Sequence, residues 1–305
     1  MQQKDRRQLR AQFEANRQKF DAANARVTER VGRNLVFALA SGLLLAAIFL
    51  ISVFVWTPLL LVVALLFGIM AMIELATAFR QAGRRVPRIG VSLGGAAILI
   101  GAYFWGLEGL LWSLFGAALF LMLWRAVESI IPGWKVPWRT LIADLASGVF
   151  TLVYIPFLLG IAVNFVKIEP YGEWWVFTLV LLPVVCDIGA WAAGVSFGKH
   201  KMAPRISPNK TWEGFAGAAA TAVIAGALAA HFFLQQPWWL GVFLGLAVLI
   251  TATAGDLVES LIKRNLNVKD MSNLIPGHGG LLDRLDSILP SVIPVFMAAF
   301  LIGVI

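Results

Sequence analysis

Charge is scarce in this sequence. Asp, Glu, Lys and Arg make up 14% of the 305 residues, against about 25% in a typical soluble chain. With 59% hydrophobic residues there is too little polar surface to cover a body of this size in water, which excludes an ordinary soluble globular protein. Cysteine is scarcer still. The lone Cys186 lies inside an apolar run, so an intramolecular disulfide and a thiolate zinc cluster are both excluded. No internal repeat, Gly/Ser linker or low-complexity tract breaks the chain into separate domains.

What the chain has instead is a series of apolar runs of membrane-spanning length, recurring from Asn34 to Ile305 with short gaps. A hydrocarbon core of roughly 30 Å takes about 20 apolar residues as helix. The runs predict an all-α, polytopic integral membrane protein of about nine transmembrane helices, near 34–55, 58–79, 89–107, 109–124, 140–166, 174–196, 214–234, 238–262 and 287–305. The third and fourth are short and nearly contiguous through Gly106-Leu107-Glu108-Gly109. With the N-terminus cytoplasmic and the C-terminus outside, every one of the 25 Lys and Arg residues except Lys167 falls on the cytoplasmic side, as the positive-inside rule requires. A wrong count would scatter them. The net charge of +8 is this asymmetry, so no nucleic-acid partner is needed to explain it.

Residues 1–33 form a basic arm too long and too mixed in charge for a cleaved signal, so the first apolar run is read as an uncleaved span. Leu9, Phe13, Phe20, Val27 and Val31 recur at spacings of four and seven, which suits either an amphipathic helix on the anionic leaflet or a solvated tail. Residues 34–305 are read as one membrane domain.

Ionisable groups within a membrane are costly and are functional candidates by default. Five acids fall within the spans: Glu74, Asp144, Asp187, Asp256 and Glu259. All five lie in the cytoplasmic halves of their helices, which argues for one cytoplasm-facing polar site and against a relay across the bilayer. Glu74 and Asp144 are equally well explained as charges snorkelling at helix ends or pairing with a nearby Arg. Asp187 is deeper in its span.

Two cytoplasmic loops stand out. The first, GKHKMAPRISPNKTWEG, places Lys199, His200, Lys201, Arg205 and Lys210 around Ser207, Asn209 and Thr211, with Pro204 and Pro208 stiffening the backbone. Cations and hydroxyl donors on a turn suit a phosphate chain, although a positive-inside loop with no ligand would account for the charges alone. In the second, Asp256, Glu259, Ser260 and Lys263 share one helical face. Arg264, Lys269 and Asp270 follow. Pro276-Gly277-His278-Gly279-Gly280 forms a tight turn whose glycines let a ligand approach the backbone, and Asp283-Arg284-Leu285-Asp286 completes the motif. Hard oxygen donors without cysteine favour Mg²⁺ over Zn²⁺. His278 fits a ligand contact or a turn residue.

The stretch SLIKRNLNVKDMSNLIPGHGGLLDRLD, Ser260 to Asp286, resembles the signature of the phosphatidate cytidylyltransferase (CDP-diacylglycerol synthase) family, and the loop FGKHKMAPRISPNKTWEG resembles that family's second shared segment, with Asp187 in the helix leading into it. The resemblance extends over roughly 181–287, taken as the catalytic part. It implies transfer of CMP from CTP to phosphatidic acid, giving CDP-diacylglycerol and pyrophosphate, with Mg²⁺ and an additional monovalent cation such as K⁺. It implies Asp256 and Asp283 as metal-binding carboxylates. Lys263 and Arg284 would steady phosphate oxygens, while Asp270 and Asp286 would orient them or hold outer-shell water, making Lys263, Asp283, Arg284 and Asp286 the catalytic group. The expected substrate contacts are Asp187, Lys199, Arg205, Ser207, Asn209, Lys210, Thr211, Glu213, Ser260, Arg264, Lys269, Asp270, His278, Gly279 and Gly280. The bilayer of the plasma membrane and a homodimer are the further expected associations.

Physical chemistry leads to a compatible site. Phosphatidate carries its phosphate at headgroup depth and CTP is cytosolic, so the two meet at the cytoplasmic interface. The attacking phosphate oxygen is already anionic, and catalysis needs chiefly alignment and charge stabilisation. The main alternative is a CTP-dependent lipid kinase of the dolichol-kinase type, which would transfer the γ-phosphoryl group. A CDP-alcohol phosphotransferase would require an Asp-Gly-x-x-Ala-Arg motif that the sequence lacks. A transporter or membrane scaffold would leave the second loop unexplained.

Overall fold

The computed structural model describes residues 35–131, 136–265 and 280–305, with side chains from Ser41 onward. The basic N-terminal arm lies outside the described residues. Among those described, seven helical stretches are long and apolar enough to cross a membrane, and the chain is a multi-pass, predominantly helical membrane protein.

Helix α1 (Leu35–Phe54) is followed by α2 (Pro58–Gln81), which has proline in its first turn, where the missing N–H costs nothing. Helix α3 runs from Arg88 to Ile130 but is interrupted at Gly106, whose φ of 68° and ψ of −149° lie where L side chains rarely go. As a straight rod its 43 residues would extend about 65 Å, twice the hydrocarbon core. It doubles back instead. A Cβ on Gly101 would meet the Gly109 carbonyl oxygen at 2.9 Å, and Gly94 faces Ala117, so the two halves form an antiparallel hairpin. The third and fourth expected apolar runs fall on these two halves.

Helix α4 (Trp138–Leu152) continues through a π-helical turn, Val153–Phe157, into α5 (Leu158–Phe165). Pro156 lies in that turn and lacks the donor a regular helix would use. Helix α6 (Gly172–Phe197) leads to strands β1 (Lys201–Ala203) and β2 (Ser207–Thr211), which pair antiparallel with Lys201 opposite Thr211 and Ala203 opposite Ser207. This small hairpin is a loop feature that the sequence did not indicate, set in an otherwise helical fold. Helix α7 (Trp212–Leu228) ends in a second π turn, Ala229–Phe233, and α8 covers Trp238–Asn265. The short α9 (Leu282–Leu285) and α10 (Ile288–Leu301) complete the chain.

The main core joins Met72 and Leu75 of α2, Ile98 of α3, Leu152, Ile155 of the first π turn, Leu179 of α6, and Leu289 and Val292 of α10. A smaller cluster of Cys186, Ala218, Ala222 and Leu249 locks α6, α7 and α8 together. Large apolar side chains such as Leu111, Trp112 and Phe115 point outward. In lipid, burying such groups gains little, so packing and interhelical hydrogen bonds hold the bundle.

One end of the bundle carries nearly all the buried charge. There α2, the second half of α3, α6 and α8 finish while α4, α7 and α10 begin. Arg125 and Asp144, each 1% exposed, form a 2.7 Å ion pair between α3 and α4. Asp144 also accepts from the Arg85 backbone N–H at 2.9 Å, and Arg125 reaches Glu128 as well. Asp144 therefore serves to join helices, the pairing expected as one of its two explanations. Lys167 lies at the opposite end, against the carbonyl and ring of Tyr103.

Candidate active site

The β-hairpin folds over the ends of α6 and α8 and covers a cavity of about 590 Å³. Its walls include Asp187, Trp191 and Gly194 from α6, Ser207, Asn209, Lys210 and Thr211 from the hairpin, Phe215 from α7, and Asp256 from α8. A lining that combines apolar side chains with Asp187, Lys210 and Asp256 suits an amphiphile with a charged end. The Lys210 ammonium is 2.7 Å from Asp256 Oδ2, which closes the basic loop onto the acid-bearing helix.

The other loop residues support this geometry. Thr211 Oγ1 accepts from the Gly214 N–H at 3.1 Å and so caps α7. Glu213 accepts from the backbone N–H groups of Lys199 and His200, both at 3.1 Å, and its other oxygen lies 2.6 Å from His200 Nδ1. Glu213, an expected substrate contact, thus holds the start of the hairpin in this structure. The Arg264 side chain donates to the Ile206 carbonyl at 3.4 Å and ties the end of α8 to the hairpin tip. Lys199 and Arg205 belong to the same loop but are not part of the cavity wall.

A second polar group surrounds the last turns of α8. The Lys263 ammonium is 3.1 Å from both Glu259 and Asp283. The Ser260 hydroxyl donates to Asp256 at 3.3 Å, and Asp283 accepts from the Gly280 N–H at 3.0 Å. Asp286, largely buried, accepts from the Ser287 N–H at 2.7 Å. A Cβ on Gly255 would come within 2.1 Å of the Asp286 carbonyl oxygen, so only glycine lets this segment lie against α8. Arg284 is exposed on the same short helix. Lys269, Asp270, His278 and Gly279 lie outside the described residues.

Asp256 and Asp283, expected to share a metal, are each held by a different lysine, Lys210 and Lys263. Among the described residues no three His, Cys, Asp or Glu side chains are grouped to hold a metal ion. The donor chemistry nonetheless fits Mg²⁺, which is commonly bound through one or two carboxylates with substrate phosphates and water completing its shell. Glu259 adds to that fit, because its Oε1 is buried without a hydrogen-bond partner.

The sequence placed Glu259 on the correct face but gave it no role. It also left Glu74 ambiguous. Glu74 is 3% exposed and neither snorkels nor serves only an arginine, for it accepts from the backbone N–H groups of Leu281 and Leu282 at 3.0 and 2.9 Å. A contact to backbone more than 200 residues away leaves no side-chain pattern to read.

Residues 37–302 match the family described as the cytidylyltransferase family. A protein named phosphatidate cytidylyltransferase from Mycobacterium bovis is 36% identical over 284 residues, covering 90% of this chain and 91% of that protein. Its namesake from Mycobacterium leprae is 37% identical over 275 residues, covering 87% and 88%. That of Pseudomonas aeruginosa is 36% identical over 197 residues, covering 61% and 69%. With a match that includes both loops and nearly every helix, the chain belongs to the cytidylyltransferase family.

Proposed function

We propose that this protein transfers CMP from CTP to phosphatidic acid, forming CDP-diacylglycerol and pyrophosphate in phospholipid synthesis. The observation that carries this reading is the contact between Lys210 and Asp256 at the wall of the cavity, which joins the phosphate-binding and acidic loops in a chain of this family. Relatives bearing the name phosphatidate cytidylyltransferase favour it over the lipid-kinase alternative.

In the reaction, a phosphate oxygen of phosphatidate attacks the α-phosphorus of CTP. The bond from that phosphorus to the oxygen bridging to the β-phosphate breaks, and pyrophosphate departs with the electron pair. Lys210, Ser207 and Asn209 would hold the triphosphate against the hairpin, and Lys263 and Arg284 would stabilise charge on the transferring and leaving groups. Asp187, on the deeper cavity wall, would orient the lipid headgroup or the nucleotide. Mg²⁺, held by Asp256 and Asp283, would neutralise phosphate charge, and a monovalent cation such as K⁺ would add to this neutralisation.

The same reading assigns nine spans with the N-terminus cytoplasmic, the C-terminus outside and the site facing the cytoplasm from the plasma membrane. Its support is the fold-back at Gly106, which divides α3 into two antiparallel halves, and the distribution of Lys and Arg. The homodimer is carried over from the resemblance alone. Purified protein given phosphatidate and CTP should release pyrophosphate only with both substrates and Mg²⁺. Pyrophosphate release independent of phosphatidate would refute the reading.

A further inference from the structure

Glu74 belongs to α2, far in sequence from either loop, yet its two carboxylate oxygens are divided between two adjacent backbone donors at the start of α9. The preceding donor, Gly280 N–H, is taken by Asp283 Oδ2, and Asp283 Oδ1 receives the Lys263 ammonium. Three consecutive N–H groups are thus held by carboxylates. The four-residue α9 is too short to fix its own orientation, since a first helical turn is unfavourable on its own. Yet it bears Asp283 and Arg284 and leads directly into Asp286. The carboxylate takes up two of the N–H groups that a helix start leaves without intrahelical partners.

From this geometry we infer that Glu74 is a positioning residue, which sets the orientation of Asp283, Arg284 and Asp286 by clamping the backbone at Leu281 and Leu282. The inference deepens the proposed transferase reading and rests on it for its effect on rate. Glu74 is not part of the wall of the cavity beside the hairpin and need not touch substrate. Its influence passes through backbone hydrogen bonds to α9, and from Asp283 through Lys263 to Glu259.

The test compares Glu74→Gln and Glu74→Asp in the full-length, detergent-purified protein. Glutamine preserves the shape but offers one acceptor and turns an NH₂ group toward the other backbone donor. Aspartate keeps both acceptors on a shorter arm. Per folded molecule, Glu74→Gln should lose at least about tenfold in kcat, the order expected for one charge-assisted hydrogen bond. The KM values for CTP and phosphatidate should change by less than about threefold, because uniform substrate binding is untouched. Glu74→Asp should recover part of the lost kcat. Hydrogen exchange should quicken at Leu281 and Leu282 in Glu74→Gln without change in α6 or α7. A Glu74→Gln protein with wild-type kcat, a raised KM at unchanged kcat, or unchanged exchange at these amides would each overturn the inference. Failure of the wild-type protein to make CDP-diacylglycerol would refute the transferase reading instead, and exchange would still decide whether Glu74 holds this segment.

Discussion

Lys210 of the β-hairpin and Asp256 of α8 are 46 positions apart and meet at 2.7 Å. The pair explains how two loops separated by α7 and most of α8 can serve one reaction. It also gives Asp256 a different partner from the nearby Lys263 or Arg264.

Replacing Lys210 by Ala should raise the KM for CTP more than that for phosphatidate. The rise should be about tenfold or more, corresponding to one charge-assisted contact of about 1.5–3 kcal/mol. Steady-state kinetics with each substrate varied in turn will show this. An unchanged CTP dependence would leave Lys210 as a hairpin anchor only.

Asp256→Asn and Asp283→Asn keep their shapes but lose a charge, and each should lower activity by several orders of magnitude, with partial recovery at high Mg²⁺. Each also frees a lysine. Folded variants with near-normal specific activity would exclude a metal role.

Breaking the buried Arg125–Asp144 pair should act on stability instead. Arg125→Ala leaves Asp144 buried without its guanidinium partner, with only the Arg85 N–H still donating to it, a loss of up to about 3–5 kcal/mol that thermal unfolding in detergent would register. The protein that remains folded should keep its KM for CTP. A large kinetic defect with unchanged stability would place this pair in the reaction.

Cysteine at Ser207 should react only with cytoplasmic probes and cysteine at Gln236 only from outside, in a background with Cys186 replaced. The two residues lie beyond opposite ends of the helix formed by α7 and its π turn. Labelling from the same side would overturn the proposed orientation.

Much of this fold was legible because hydrocarbon thickness and helix rise leave few options for an apolar run, and the break between the third and fourth spans was marked by Gly106 and Gly109. The β-hairpin was not, because Pro204 and Pro208 read as turn residues. Pro208 is tolerated in β2, which has only one paired side. In the site, the i, i+4 spacing of Glu259 and Lys263 predicted a shared face, and they do pair. Lys210 with Asp256 and Glu74 with the backbone of Leu281 and Leu282 depend on how helices pack, for which the sequence carries no local signal.

The most direct measurement follows CTP labelled separately in cytosine and in the γ-phosphate, incubated with purified protein, phosphatidate and Mg²⁺. Cytosine label should enter the lipid in equal amount to the pyrophosphate released, γ-label should stay in pyrophosphate, and Asp256→Asn should abolish both events. Transfer of γ-label to lipid without cytosine, or undiminished transfer by the Asp256→Asn protein, would contradict a cytidylyltransferase site built on these two loops.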